Sequence, residues 1–326
     1  MQSNQYNLNN ISDLHVHLGS ASTGHLLWEM ANSRGIALPE KNYWKFIDSV
    51  KIDHNIGFES YHAYFDLTQL IQSSPDAIEK AIHEAISLSY RKANIDLIEI
   101  RFNPMRRNAN QVYDIDRILL SAYVGMTRAM MEYPVQVGLI LEMDRRFDFK
   151  MNKIIVDKAI QHKSQGIVGV DVSGPNNDSF SFDDIYPLTD KAKSYGLGVT
   201  IHTGEAQPVT EVKEVIDKIR PNRIGHGVRS IDDPEVIKKL LKHNICLEVC
   251  PTSNVTLSIV KDWNEMKNTI RQLYDAGVPL TINSDGPVFL HTNALKECEN
   301  LINRDILTEE EIANCQSNSR KYTFIK

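Results

Sequence analysis

Two histidines stand one residue apart in the run LHVHL, at His15 and His17. On a β-strand, residues two apart point to the same side, so both imidazoles can converge on one cation. The ordinary alternative is a pair of polar strand-end side chains. His202 lies in TIHTGEA, with Glu205 three residues on in a glycine turn; His226 lies in RIGHGV and Asp285 in TINSDGP. Each of these alone admits a plain reading: a hydrogen-bonded histidine, a turn-capping glutamate, a helix N-cap aspartate. Taken together, each group ends a predicted strand, which is harder to ascribe to accident. Three imidazoles and one carboxylate suit Zn2+ and leave room for a water if coordination expands to five. Such an ion brings the water's pKa from 15.7 toward about 7. Glu205 is then placed to give a proton to a ring nitrogen of a substrate, which makes the adjacent carbon electrophilic. His226 either orients the attacking oxygen and stabilises its charge, or is a further nitrogen ligand.

The elements that must position these residues are short apolar runs alternating with amphipathic segments. Strands are expected at 11–18, 96–102, 135–142, 167–172, 198–202, 223–227, 245–250 and 279–283. Their Ile, Val and Leu content without clean alternation is typical of parallel strands covered on both faces. Helices are expected at 75–92, 114–132, 151–165, 182–195, 209–218, 233–243 and 263–276. Pro75 and Pro234 sit where helix starts favour proline. Eight such units form either a closed (β/α)8 barrel or an open doubly wound sheet. No GxGxxG or Walker loop follows the first strand, which disfavours the nucleotide-binding sheet. A barrel places its chemistry at the C-terminal ends of its strands, where all the candidates fall. The expected fold is therefore α/β, a (β/α)8 barrel of the metal-dependent hydrolase type, with residues 1–326 as one domain. An insertion at about 19–72 is rich in aromatic residues, among them Trp28, Trp44, Tyr61, Tyr64 and Phe65. Its stretch 58–72 reads as a lid over the site, the alternative being helices packed on the barrel exterior.

Composition narrows the class of partner. The chain has 326 residues, a formal net charge of −6 and 42% hydrophobic residues. Acidity disfavours nucleic acid or an anionic membrane as the main partner. Its four cysteines include no CxxC pair, so neither a cysteine zinc site nor a disulfide scaffold is expected. The polar start MQSNQYNLNNISD lacks the features of a secretion signal, and no apolar run spans a membrane. A cytoplasmic address is the simplest expectation.

Six ordered motifs give a resemblance over nearly the whole chain. LHVHL at 14–18, DVSGP at 171–175, HTGEA at 202–206, RIGHG at 223–227, CPTSN at 250–254 and NSDGP at 283–287 resemble the motif series of the adenosine deaminase family. The resemblance implies a zinc-activated water, attack at the carbon bearing an exocyclic amine, and release of ammonia. By motif position, His15, His17, His202 and Asp285 look like the zinc ligands. Glu205 looks like the proton donor and His226 like the residue that positions the water. Gly174 looks like the backbone contact to a purine nitrogen, and Phe58, Tyr61 and Phe65 fall on the part similar to the family's aromatic lid. Two departures fall on substrate recognition. Gly19 stands where the family carries an aspartate for the ribose 5′-hydroxyl, and Gly286 where it carries one for purine N7. Removing the first carboxylate removes a requirement for that hydroxyl and is expected to open volume. The expected substrate is thus a purine nucleoside or related heterocycle, a 5′-modified adenosine rather than adenosine itself, with water as co-substrate.

Two rival readings have separate signatures. A metal hydrolase of amides or other bonds would share the paired histidines and late aspartate, but often carries a bridging lysine on the fourth strand; that strand here reads GIVGVDVSG. A non-catalytic binding protein of the same fold would bind metal without turnover. Base editing of nucleic acids fits poorly, because the HxE…PCxxC signature is absent.

Overall fold

The structure is a computed structural model and describes residues 6, 8, 11–52, 54–108, 111–175 and 177–326. The first ten positions, on which part of the secretion-signal expectation rests, lie mostly outside the described residues. Eight strands run in chain order around one sheet, each parallel to its neighbours. They are β1 (Ser12–His17), β2 (Leu97–Phe102), β3 (Gln136–Asp144), β4 (Ile167–Ser173), β5 (Gly198–Thr203), β6 (Arg223–His226), β7 (Cys246–Val249) and β8 (Leu280–Ile282). Beyond β8, Val16 bridges Asp285 in the parallel sense. The His17 N–H donates to the Asp285 carbonyl at 3.0 Å, and the Asp285 N–H donates to the His15 carbonyl at 2.9 Å. These two bonds join the last strand to the first, and the result is a (β/α)8 barrel. The strand interiors are buried on both faces, as continuous apolar runs require.

Helices α1 (Gly24–Ser33), α2 (Tyr43–Ser49) and α3 (Phe58–Ile71) fill the long β1–β2 connection. The outer helices follow as α4 (Pro75–Ala93), α5 (Ile115–Glu132), α6 (Phe149–Gln161), α7 (Phe182–Ser194), α8 (Val209–Lys218), α9 (Pro234–His243), α10 (Pro251–Thr256), α11 (Trp263–Asp275), α12 (Ala294–Asn303) and α13 (Glu309–Tyr322). Helix α6 begins two residues before the expected start, because the Asp148 side chain caps it by accepting from the Met151 N–H at 2.8 Å. The short α10 and the terminal α12 and α13 are additions to the expected set. A signal for α13 is present in TEEE: Thr308 and Glu311 form a reciprocal capping box. No helix among the described residues is long and apolar enough to cross a membrane.

The barrel interior carries a buried ionic network as well as apolar layers. Arg101 of β2 donates to Asp171 Oδ2 at 2.7 Å, to Glu248 Oε2 at 2.8 Å and to the Leu14 carbonyl at 2.7 Å. Arg223 of β6 donates to Glu248 Oε1 at 2.6 Å and to Glu99. Its guanidinium carbon lies 3.6 Å from the centre of the Phe324 ring, which packs against Gly169 and Gly198 where a Cβ would not fit. Buried charges are costly unless paired, and here each arginine spans two carboxylates.

Candidate functional site

Strand β1 presents His15 and His17 to one side, β5 presents His202, and the turn after β8 presents Asp285. Gly225 of β6 makes this convergence possible, since a Cβ there would sit 3.1 Å from His15 Cε1 and 3.2 Å from His202 Cγ. Two imidazoles pack over that bare backbone with ring centres 4.6 Å apart. His226 and Asp285 hold φ of 61° and 60°. Left-handed backbone is uncommon for residues other than glycine, and strained positions of this kind gather at functional sites.

The three histidines are oriented in one manner. His15 Nδ1 contacts Glu248 Oε2 at 2.7 Å, His17 Nδ1 contacts Glu142 Oε1 at 3.0 Å, and His202 Nδ1 contacts Asp171 Oδ2 at 2.9 Å. A carboxylate on Nδ1 fixes the tautomer with the proton there and leaves a lone pair on Nε2. All three Nε2 atoms then face one another. Those of His17 and His202 are 3.1 Å apart, and that of His15 is buried with no hydrogen-bond partner among the described residues. Asp285 Oδ1 lies 3.4 Å from His17 Nε2 and 3.8 Å from His15 Nε2. Its other oxygen accepts from the Ser253 hydroxyl. Two nitrogens each about 2.0–2.1 Å from a tetrahedral ion would be about 3.3 Å apart. The spacing, the orphaned Nε2 and the donor set therefore fit a divalent metal. A second grouping of His15, His226 and Cys250 also has ligand-like spacing. The Cys250 thiol is also turned to the Glu248 carbonyl, to which it donates at 3.5 Å.

Glu205 and His226 stand beside this cluster, with His226 Nε2 3.6 Å from Glu205 Oε1. Burial, reinforced by the negative charge of Asp285, raises the Glu205 carboxyl well above the usual carboxylate range. This shift favours the protonated acid. Burial pushes His226 down to about 3, so its ring is neutral. Asn254 Nδ2 lies 3.1 Å from His226 Nδ1 and donates to it, which puts the ring proton on Nε2.

A cleft opens over the cluster. His17, His202, Glu205, His226, Asp285, Gly19, Gly174, Phe58, Tyr61 and Phe65 all line it. Gly286 does not, because Tyr61 covers it: a Cβ on Gly286 would sit 2.2 Å from the Tyr61 hydroxyl. A Cβ on Gly19 would sit 2.7 Å from Phe65 Cδ1 and 3.1 Å from the Thr68 hydroxyl. The expectation of opened volume at Gly19 is thus corrected, and Gly286 is likewise covered. Aromatic side chains of α3 occupy the space.

The sequence reading did not single out Glu142, Asp171, Glu248, Ser253 or Asn254 as site residues. Asp171, Ser253 and Asn254 lie within its quoted motifs. The available signal for the carboxylates is a charged residue inside an otherwise apolar strand, which demands a partner.

The family model for adenosine deaminase matches residues 11–326. An adenosine deaminase of Shewanella denitrificans is 26% identical over 314 residues, spanning 96% of this chain and 93% of that one. An adenine deaminase from Arthrobacter aurescens has a similar structure, with TM-score 0.87 at 19% identity over 98% of this chain and 95% of that one. The N6-methyl-AMP deaminase of Arabidopsis thaliana is also similar, with TM-score 0.82 at 22% identity over 97% of this chain and 92% of that one.

Proposed function

The chain belongs to the adenosine deaminase family, and on that premise we propose a specific assignment of its chemistry. It is a hydrolytic deaminase of adenine-type purines. In this assignment one Zn2+ is held by His15, His17, His202 and Asp285, Glu205 is the proton donor and His226 positions the attacking water. The substrate is an adenosine-like nucleoside with a modified 5′ position. The observation that carries the reading is the meeting of three Nε2 lone pairs beside the buried Glu205 carboxyl.

When bound there, a divalent cation supplies Lewis-acid activation of water and charge stabilisation. The protein groups do the rest. Glu205 donates its proton to the ring nitrogen next to the amine-bearing carbon, which draws electrons from that carbon. His226, with its proton on Nε2, donates to the incoming oxygen and holds it in line. The new C–O bond replaces the C–N bond, and the amine leaves as ammonia after taking up a proton. Helix α3 covers the cleft with Phe58, Tyr61 and Phe65 and excludes bulk water. No carboxylate stands at residue 19 to require a free 5′-hydroxyl, which supports a substituent at that end of the substrate.

Ammonia release from adenosine and 5′-substituted adenosines tests this assignment. Glu205→Gln is expected to keep its metal and lose on the order of 10²–10⁴ in kcat, the usual value of one acid catalyst. Near-normal turnover in that variant would contradict the assigned role.

A further inference from the structure

Arg107 is the least explained charge in the cleft. It follows β2 in the run RFNPMRRN, lines the cavity and is 2% exposed. Its Nε and Nη1 have no hydrogen-bond partner among the described residues, and Nη2 donates only a 3.3 Å bond to the Gln72 amide oxygen. No carboxylate forms an ion pair with it among the described residues. The carboxylate whose charge favours its cation, Glu142, is already engaged by His17 at 3.0 Å and by the Ser173 hydroxyl at 2.9 Å. The other buried arginines of the barrel interior, Arg101 and Arg223, each have two carboxylates.

The same wall carries two more arginines. Arg106 Nε meets Asp144 Oδ2 at 2.7 Å, and Arg146 grips both oxygens of Asp144 at 2.9 and 2.8 Å. Asp144 therefore serves two guanidinium groups. Asp66, 3.9 Å from Arg106, has a side chain 63% exposed and is screened by water. The wall has a surplus of positive charge, and its most buried member is the unpaired one. Burial pushes Arg107 down to about 10, still a cation at neutral pH. An unpaired buried cation is costly, and the fork of a guanidinium matches a phosphate or carboxylate through two parallel bonds.

We propose that Arg107, backed by Arg106 and Arg146, is an anion subsite that receives a phosphomonoester carried by the substrate. The inference rests on the deaminase reading for where the base sits, and it names the class of the 5′ modification. Substrates of this class are nucleoside monophosphates.

The test measures binding of two product-type ligands, inosine and inosine 5′-monophosphate, to the zinc-loaded full chain by calorimetry. The wild type is expected to bind the phosphorylated ligand at least about tenfold more tightly, with inorganic phosphate competing. Arg107→Met should bring that ratio close to one, and Arg107→Lys should recover part of it. A wild-type ratio near one, or a ratio kept in Arg107→Met, would overturn the proposal and make Arg107 a structural residue. Should Arg107→Met fail to fold, the wild-type ratio and its response to phosphate decide the matter alone. Failure of ammonia release from both adenosine and adenosine 5′-monophosphate would sink the deaminase reading, while the binding ratio still judges the anion subsite.

Discussion

His17 illustrates how one side chain is aimed into the site. Its Nε2 faces the other imidazoles only because Glu142 holds Nδ1 at 3.0 Å and Ser173 in turn donates to Glu142 at 2.9 Å. A carboxylate in this position both fixes the ring and raises its basicity. Glu142→Gln keeps the shape and loses the charge. It is expected to weaken metal binding about 10–100-fold, measured by competition with a chelator of known affinity. Unchanged affinity would mean that His17 is oriented by strand geometry alone. The clustered histidines were legible in the sequence because HxH and isolated strand-end histidines are chemically unusual. Glu142, Asp171 and Glu248 were not singled out, because a lone acid in a strand shows a need for a partner without naming it. Which histidine each one meets depends on the register of strands far apart in the chain. Asn254 was equally hidden, although it stands in a quoted motif, since its bond to His226 joins helix α10 to the end of β6.

At the scale of the element, α3 decides the shape of the cleft. Tyr61 and Phe65 lie one helical turn apart, with ring centres 5.0 Å apart and perpendicular. Each reaches toward a glycine: Phe65 fills the space at Gly19 and Tyr61 the space at Gly286. Aromatic helix and glycine turns are therefore one packing unit. Gly286→Ala brings a methyl group against the Tyr61 hydroxyl and is expected to cost about 1–3 kcal/mol in chemical denaturation, the usual range for overpacking. Adding Tyr61→Phe removes the obstructing oxygen and should recover most of that loss, a non-additive cycle. Additive effects would show that the two residues do not touch. The extent of α3 was readable from its aromatic run, and the observed helix Phe58–Ile71 falls within the expected 58–72. What filled the glycines was not readable. A missing side chain announces a gap, and only the fold shows which neighbour occupies it.

Across the whole molecule, the site exists because the barrel closes. His15 and His17 come from the first strand, His202 from the fifth and Asp285 from just beyond the eighth, 270 positions after His15. The backbone bonds between His15, His17 and Asp285 are both the seam of the barrel and the frame of the histidine–aspartate cluster. Beside this cluster, Arg101 links Asp171 and Glu248, the two acids that orient His202 and His15. The interior network thus connects strands β1, β2, β4, β5 and β7 to the same few donors. Alternation of strands and helices made the fold class legible, and the strand-end positions of the candidates favoured the barrel over an open sheet. The interior arginine network was not foreseen, since apolar periodicity does not report which buried charges meet inside a closed sheet. The central claim is that these distant donors enclose a single cation, and titration of Zn2+ into chelator-treated protein tests it most directly. One ion per chain is expected for the wild type, with binding abolished or weakened by orders of magnitude in His202→Ala. A folded wild-type chain that takes up no ion, or a His202→Ala variant that binds as the wild type does, would contradict the account.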